Sequence, residues 1–334
     1  MDFRSDTVTK PTLAMRQAMV DAAVGDDVYD DDPSVHALQN KMAELLGKEA
    51  ALFVPSGTFS NQLAIMAHTR RGDEIIVLED AHIFYHEAGA PALLSGVNMR
   101  QATSVGGSYD LETLPGLFRE DDIHFPRTSL LCLENAHGNG RVVPLENMKG
   151  AYTIAKQKGA AVHLDGARIF NAAVYLGVEA REIAQYADSV SVCLSKGLAA
   201  PIGSVLFGTR EFIEKARRYR KIMGGGMRQV GILAACGLVG LEEVLPRLEE
   251  DHRLARYMAL GLDEIDGLEI AWDRLNINMV FFSLEEKIDL ASALEERGII
   301  INPEEDGEYR FVTHIGVGKE DVDRLLVAMK EILQ

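Results

Sequence analysis

Short apolar, β-branched runs alternate with longer amphipathic segments over most of the chain, the pattern of strands joined by crossover helices in an α/β domain. The strand candidates are Ala50–Val54, Glu74–Leu78, Leu93–Val97, Ser129–Leu133, Ala160–Leu164, Ser189–Leu194 and Gly203–Phe207. Several of these runs are apolar at successive positions, as strands buried on both faces of a largely parallel sheet are. Past Gly224-Gly225-Gly226 the apolar positions recur with helical spacing from Arg228 to about Ile265. From Gly267 the pattern changes, with strands expected near Leu268–Trp272, Met279–Ser283, Gly298–Ile301 and Tyr309–Val312 and helices near Glu286–Arg297 and Lys319–Leu333. The pattern predicts an α/β chain in two parts. Residues 1–245 form a large domain with a mostly parallel seven-stranded sheet covered by helices, and residues 246–334 a small C-terminal α+β domain.

With 334 residues, 47% hydrophobic and 25% charged, the chain can build a large core and a smaller second one. The opening Met1-Asp2-Phe3-Arg4-Ser5-Asp6 lacks the apolar run of a signal peptide, and no stretch approaches the roughly 20 apolar residues of a spanning helix. A cytoplasmic location without a membrane partner is therefore expected. A formal charge of −17 repels phosphate backbones, which argues against nucleic acid and leaves any phosphorylated ligand to a local, inward-facing site. Cys132, Cys193 and Cys236 lie in apolar runs without the spacing of a zinc or redox site, so they read as small core residues and no metal site is expected.

The candidate chemistry sits where strands end, since the ligand crevice of an open α/β sheet lies outside the carboxyl ends of its strands. Ser195-Lys196-Gly197 follows the strand Ser189–Leu194. A lysine there is poorly solvated, and desolvation lowers its pKa and frees an amine for Schiff-base formation, although a lysine snorkelling to the surface would read alike. Asp165-Gly166-Ala167-Arg168 follows Ala160–Leu164 and brings a carboxylate to the same crevice. Such a carboxylate can keep a pyridinium nitrogen protonated and make the ring an electron sink; the plain alternative is a turn pair with Arg168. After Ala50–Val54, Pro55-Ser56-Gly57-Thr58 opens a helix, where free amides, a glycine and two hydroxyls make either an anion cradle or an ordinary cap. His82, after Glu74–Leu78, suits a ring-stacking, acid–base or structural role. Arg168 and Arg310 suit a bidentate clamp on an amino acid's carboxylate, though Arg310 alone reads as an exposed strand residue.

Longer runs carry a resemblance. Phe3-Arg4-Ser5-Asp6-Thr7-Val8-Thr9-Lys10-Pro11, Val24-Gly25-Asp26-Asp27-Val28-Tyr29, Pro55-Ser56-Gly57-Thr58, His124-Phe125-Pro126-Arg127-Thr128, His163-Leu164-Asp165-Gly166-Ala167-Arg168, Cys193-Leu194-Ser195-Lys196-Gly197 and Gly224-Gly225-Gly226-Met227-Arg228-Gln229 stand in order along the chain. Together they resemble the low-specificity L-threonine aldolases. The resemblance implies an aspartate-aminotransferase type fold, pyridoxal 5'-phosphate as cofactor, and a homotetramer of tight dimers whose active sites are shared between subunits. By position it implies that Lys196 carries the cofactor, Asp165 partners the pyridinium, His82 stacks on the ring, and Gly57 with Thr58 cradles the phosphate. Arg228, and Lys221 with it, would reach the phosphate of a neighbouring subunit. Ser5, Arg168 and Arg310 would clamp the substrate carboxylate, with Tyr29, Glu87 and His124 lining the substrate side.

The implied reaction is retro-aldol cleavage of a β-hydroxy-α-amino acid, L-threonine or L-allo-threonine giving glycine and acetaldehyde. His82, His124 and a bound water all stand as candidates for the base. Another lyase or transferase of the same fold is the runner-up, because the early steps are shared; a non-catalytic binder of phosphorylated ligands would leave Lys196 and Asp165 without a task. Two positions depart from the family pattern. Ser60 stands where glycine or alanine is usual, and Ala136 where threonine commonly follows Glu134-Asn135.

Overall fold

The computed structural model describes residues 1–333. Seven strands form the main sheet: β1 (Ala50–Val54), β2 (Glu74–Leu78), β3 (Asn98–Ala102), β4 (Thr128–Glu134), β5 (Ala161–Asp165), β6 (Ser189–Cys193) and β7 (Ser204–Gly208), in the order β1-β7-β6-β5-β4-β2-β3. From β3 to β6 every neighbour is parallel, while β7 runs antiparallel to both β6 and β1. Every residue of β2, β4, β6 and β7 is buried, which is why residues 75–78, 130–133 and 205–207 are apolar at successive positions. The chain leaves β2 for β3 on one side and returns to β4 on the other, so the order reverses at β2 and opens a crevice at the carboxyl ends of β2 and β4.

A second sheet of three antiparallel strands, β8 (Leu268–Ile270), β9 (Met279–Leu284) and β10 (Tyr309–Val312), runs in the order β10-β9-β8. The helices Leu248–Asp263 and Lys319–Leu333 bury Met258, Leu262, Leu325 and Met329 in one core with Phe282 and Phe311. Phe3 joins that core: its N–H donates to the Ile300 carbonyl at 2.8 Å, and its own carbonyl accepts from Val312 at 2.9 Å. The amino-terminal segment is thereby anchored on the second sheet, and it carries Ser5 and Asp6 toward the first.

Four expected elements differ. Pro91–Ser95 is one wide helical turn ended by Gly96 at φ +65°, not a strand, and Leu93 is 77% exposed. The strand lies just beyond, at Asn98–Ala102; as an edge it pairs only with β2 and tolerates polar residues, so an apolar pattern misplaces it. Gly298–Ile301 makes a single bridge from Ile300 to Asp2 in place of a strand. The helical stretch beyond Arg228 divides into Gly231–Val239 and Leu248–Asp263, interrupted by turns around Pro246, which has no N–H to continue a helix. The expected helix Glu286–Arg297 shortens to Leu290–Glu295, begun by Asp289, whose carboxylate accepts from the Ser292 N–H at 3.1 Å.

Candidate active site

Four strand ends meet at one cavity of about 590 Å³, which Ser5, His82, Glu134, Arg168, Lys196 and Arg310 help to line. Lys196 follows β6, Asp165 closes β5 and Arg168 follows it, Glu134 closes β4 and His82 follows β2. Asp165 is 4% exposed; its Oδ2 accepts from Asn61 Nδ2 at 2.7 Å and its Oδ1 from the Ala167 N–H at 3.0 Å. Burial works to raise the Asp165 carboxyl, but the charges of His82 and Lys196 and the bond from Asn61 outweigh it and hold it below the usual carboxylate range.

His82 starts the short helix His82–Tyr85, and its N–H donates to Glu134 Oε2 at 2.8 Å. Glu134 Oε1 accepts from the Gly138 N–H at 2.7 Å, so one carboxylate ties together the turns after β2 and β4. The His82 ring sets Nδ1 3.1 Å from Glu87 Oε1 and 4.0 Å from Asp165 Oδ2. Glu87 is buried and also accepts from Asn61 at 2.8 Å and Gln62 at 2.6 Å. The bond to Glu87 raises the His82 pKa against the opposing effect of burial. His82, Glu87 and Asp165 stand close enough to hold a cation, yet donors already engage both carboxylates, so the cluster reads as a closed hydrogen-bond network.

Two arginines face the other side of the cavity. Arg168 grips Asp6 with both arms of its fork, Nε to Oδ2 at 2.8 Å and Nη2 to Oδ1 at 2.6 Å. Burial works to raise Asp6, but Arg168 outweighs it and holds the carboxyl at about 2. Arg310 on β10 has only a long bond from Nη2 to the Arg4 carbonyl, 3.4 Å, and its buried Nε has no partner among the described residues. Burial and the nearby Arg168 push its pKa down. Ser5 caps the turn Asp6–Val8 and lines the same cavity. A guanidinium with an unmet donor beside a second arginine is a place for a carboxylate.

At the carboxyl end of β1 the helix Gly57–His68 begins, with Ser56 Oγ accepting from the Phe59 N–H at 3.2 Å. The N–H groups of Gly57 and Thr58, first in the helix, have no carbonyl a turn back to bind. A Cβ on Gly57 would stand 2.8 Å from Cys193 Sγ, so only glycine lets this helix start come so close to the end of β6. The helix thereby offers free amides and the positive end of its dipole on the same edge of the sheet as Lys196.

Residues 2–285 match the beta-eliminating lyase family. The low specificity L-threonine aldolase of Escherichia coli (strain K12) is 46% identical over 323 residues, 96% of either chain. The chain belongs to the low-specificity L-threonine aldolases. Low-specificity L-threonine aldolase 1 of Arabidopsis thaliana is 42% identical, covering 100% of this chain and 96% of that one. Among solved structures, the threonine aldolase of Leishmania major has a TM-score of 0.84 at 19% identity, covering 100% of this chain and 99% of that one, which shows the shared fold.

Eight expected positions do not line this cavity: Asp165 and Glu87 stand next to His82 and Gly57 with Thr58 opens the helix after β1, while Arg228, Tyr29, Lys221 and His124 lie apart from it. Arg228 is 52% exposed in its side chain and pairs with Asp26 at 2.8 Å, with its guanidinium 5.6 Å from the Tyr29 ring centre. Tyr29 and Lys221 are exposed, and His124 stands on an exposed loop where its N–H donates to Asp122 at 2.8 Å. Asn61, Gln62, Asp6 and Glu134 bind the site together without having been expected there. Glu134 had a signal: like Asp165, it ends an apolar run on a carboxylate. Asn61 and Gln62 look like the polar face of a helix, and nothing local in Asp6 forecasts a partner 162 residues away.

Proposed function

We infer that this chain is a pyridoxal-phosphate-dependent aldehyde-lyase that cleaves L-threonine and L-allo-threonine to glycine and acetaldehyde. The observation that carries this reading is the buried, ionised Asp165 at a strand end beside His82 and Lys196, together with Arg310 in the wall of the cavity, which the chain leaves unmatched. These donors fit the cofactor: an amine for its aldehyde, a carboxylate for its ring nitrogen and free helix-start amides for its phosphate. Bound there, pyridoxal phosphate supplies an electron sink for the charge left at Cα when the Cα–Cβ bond breaks.

The chain's own residues then have distinct tasks in this reading. Lys196 holds the cofactor covalently through Nζ, Asp165 keeps the ring nitrogen's proton in place, and Gly57 and Thr58 hold the phosphate. Ser5, Arg168 and Arg310 fix the substrate carboxylate and so set the Cα–Cβ bond across the ring. His82, its Nδ1 proton directed at Glu87, offers Nε2 to the β-hydroxyl proton, directly or through a water. His124 joins the site only where a neighbouring copy brings it.

The reading includes a homotetramer with shared sites, in the cytoplasm, and a division of the chain near residue 245. Arg228, Lys221 and Tyr29 gain a task only against a second subunit. They stand near exposed apolar residues such as Ile222, 73% exposed, and Val24, 44%, which a subunit contact would cover. The three cysteines are free and buried, as suits a reducing compartment.

Incubating the purified protein with L-threonine, L-allo-threonine and D-threonine tests the reaction. Glycine and acetaldehyde should form in equal amounts from both L-epimers, because exchanging methyl and hydrogen at Cβ alters apolar contact by only about 1 kcal/mol. D-threonine would forfeit an arginine contact worth about 3 kcal/mol, more than a hundredfold in rate. Release of 2-oxobutanoate and ammonia instead would mean β-elimination.

A further inference from the structure

Behind this site a line of buried polar side chains leads from Asp165 into the sheet. Asn61, in the second turn of the helix Gly57–His68, is 1% exposed. Its Nδ2 lies 2.7 Å from Asp165 Oδ2 and 2.8 Å from Glu87 Oε1, and its Oδ1 3.0 Å from His163 Nε2. His163, wholly buried on β5, sets Nδ1 2.8 Å from Ser189 Oγ on β6. Ser189 Oγ in turn lies 2.8 Å from Nε2 of the half-buried His68, the last residue of Asn61's own helix.

Donor and acceptor rules leave one arrangement of protons along this line. Two carboxylates face one end of Asn61, and ionised carboxylates only accept, so the NH₂ end must face them with one hydrogen for each. The amide oxygen is then left for His163, whose Nε2 must carry the hydrogen. Burial pushes His163 down to about 4, so the ring is neutral at neutral pH and its Nδ1 is bare. Ser189 gives its hydroxyl proton to that nitrogen, which leaves the Ser189 oxygen to accept from His68 Nε2. Burial likewise holds His68 down at about 3, and it takes part as the neutral Nε2–H tautomer. Every bond in the line therefore points toward Asp165.

We propose that Asn61 is a positioning residue: with His163, Ser189 and His68 behind it, it holds Asp165 as an anion in dry surroundings and so keeps the proton of a bound pyridinium on the ring. The inference rests on the cofactor reading above. A carboxylate and a ring nitrogen can share a proton as an ion pair or as a neutral pair; dry surroundings favour the neutral pair, and donors to the carboxylate favour the ion pair. Of the titratable groups around Asp165, His82 and Lys196 favour its anion, the neutral His163 acts only through its bond to Asn61, Glu87 opposes the anion, and the buried Cys132 stays a thiol. Because Asn61 gives its second hydrogen to Glu87, it damps the repulsion between the two carboxylates as well.

The test loads the protein with pyridoxal phosphate carrying ¹⁵N in the ring and compares the unsubstituted chain with Asn61→Leu and Ser189→Ala. Asn61→Leu should move the ring ¹⁵N resonance from the protonated toward the unprotonated position. It should lower kcat about tenfold or more, as loss of a hydrogen bond to a charged group does, with KM changed less than about threefold. Ser189→Ala should move the resonance the same way by less. A folded Asn61→Leu protein whose resonance stays at the protonated position overturns the proposal. Should that variant fail to fold, an unmoved resonance in Ser189→Ala overturns it equally. An unsubstituted protein without the cofactor's visible absorbance would overturn the cofactor reading and this inference together, and shows itself before any variant is compared.

Discussion

His82 and Glu87 form a pair at the rim of the buried network, with Nδ1 of the imidazole 3.1 Å from Oε1 of the carboxylate. The bond to Glu87 lifts the His82 pKa above its ordinary 6.5, while burial lifts Glu87 above its ordinary 4.5. Three donors at Glu87, from His82, Asn61 and Gln62, still favour its anion at neutral pH. A histidine raised on folding contributes stability that is fully present below about pH 6.5 and fades as pH rises through the folded value.

Activity should run the opposite way, because Nε2 can take a proton only once the ring is neutral. The acid limb of the kcat/KM profile for L-threonine should therefore fall above pH 6.5 and move to lower pH in Glu87→Gln, where the charge that raises His82 is gone. An unmoved limb would mean that His82 is not the group observed.

The two arginines should separate in their effects. Arg168 neutralises the buried Asp6, so Arg168→Gln should cost about 3–5 kcal/mol of stability by stranding that carboxylate. No carboxylate among the described residues pairs with Arg310, so Arg310→Gln should leave Tm nearly unchanged while raising KM for L-threonine roughly a hundredfold. Thermal melts beside steady-state kinetics check both; a large loss of Tm in Arg310→Gln would make that residue structural.

Much of this site was legible because a strand end is a local event. The buried strands before Asp165 and Lys196 give way to a charged residue, and the fold needs only to align those ends. The edge strand β3 was misplaced by five residues, Asn98 for Leu93, because an edge paired on one side need not be apolar. Asp6 and Asn61 escaped notice for another reason: their partners, Arg168 and Asp165, are more than a hundred residues away and meet them only through tertiary packing. Tyr29, His124, Lys221 and Arg228 were legible only through resemblance, and one chain alone does not bring them to the cavity.

Arg228→Ala should weaken retention of the cofactor although the side chain is half exposed and does not line the cavity with Lys196 in the single chain. Mixing inactive Arg228→Ala with inactive Lys196→Ala should restore part of the activity, because a mixed dimer holds one site with both residues intact. Subunit exchange, confirmed by mass, followed by assay with L-threonine checks this. No recovery after proven exchange would contradict shared sites.

Asp165→Asn should keep the cofactor bound and lose about a hundredfold or more of kcat, on the order of 3 kcal/mol in the barrier. An amide fills the space but has no charge to hold a ring proton. Absorbance of the bound cofactor and turnover, measured together, separate this from simple cofactor loss; near-normal turnover would show that the electron sink does not limit the rate.

Lys196 is the residue proposed to carry pyridoxal phosphate. Reducing the purified, yellow protein with borohydride and mapping the labelled peptide by mass spectrometry tests that directly. The label is expected on Lys196, within Cys193-Leu194-Ser195-Lys196-Gly197, and should be lost in Lys196→Ala. A label on Lys221, Lys10 or any other lysine would contradict that assignment.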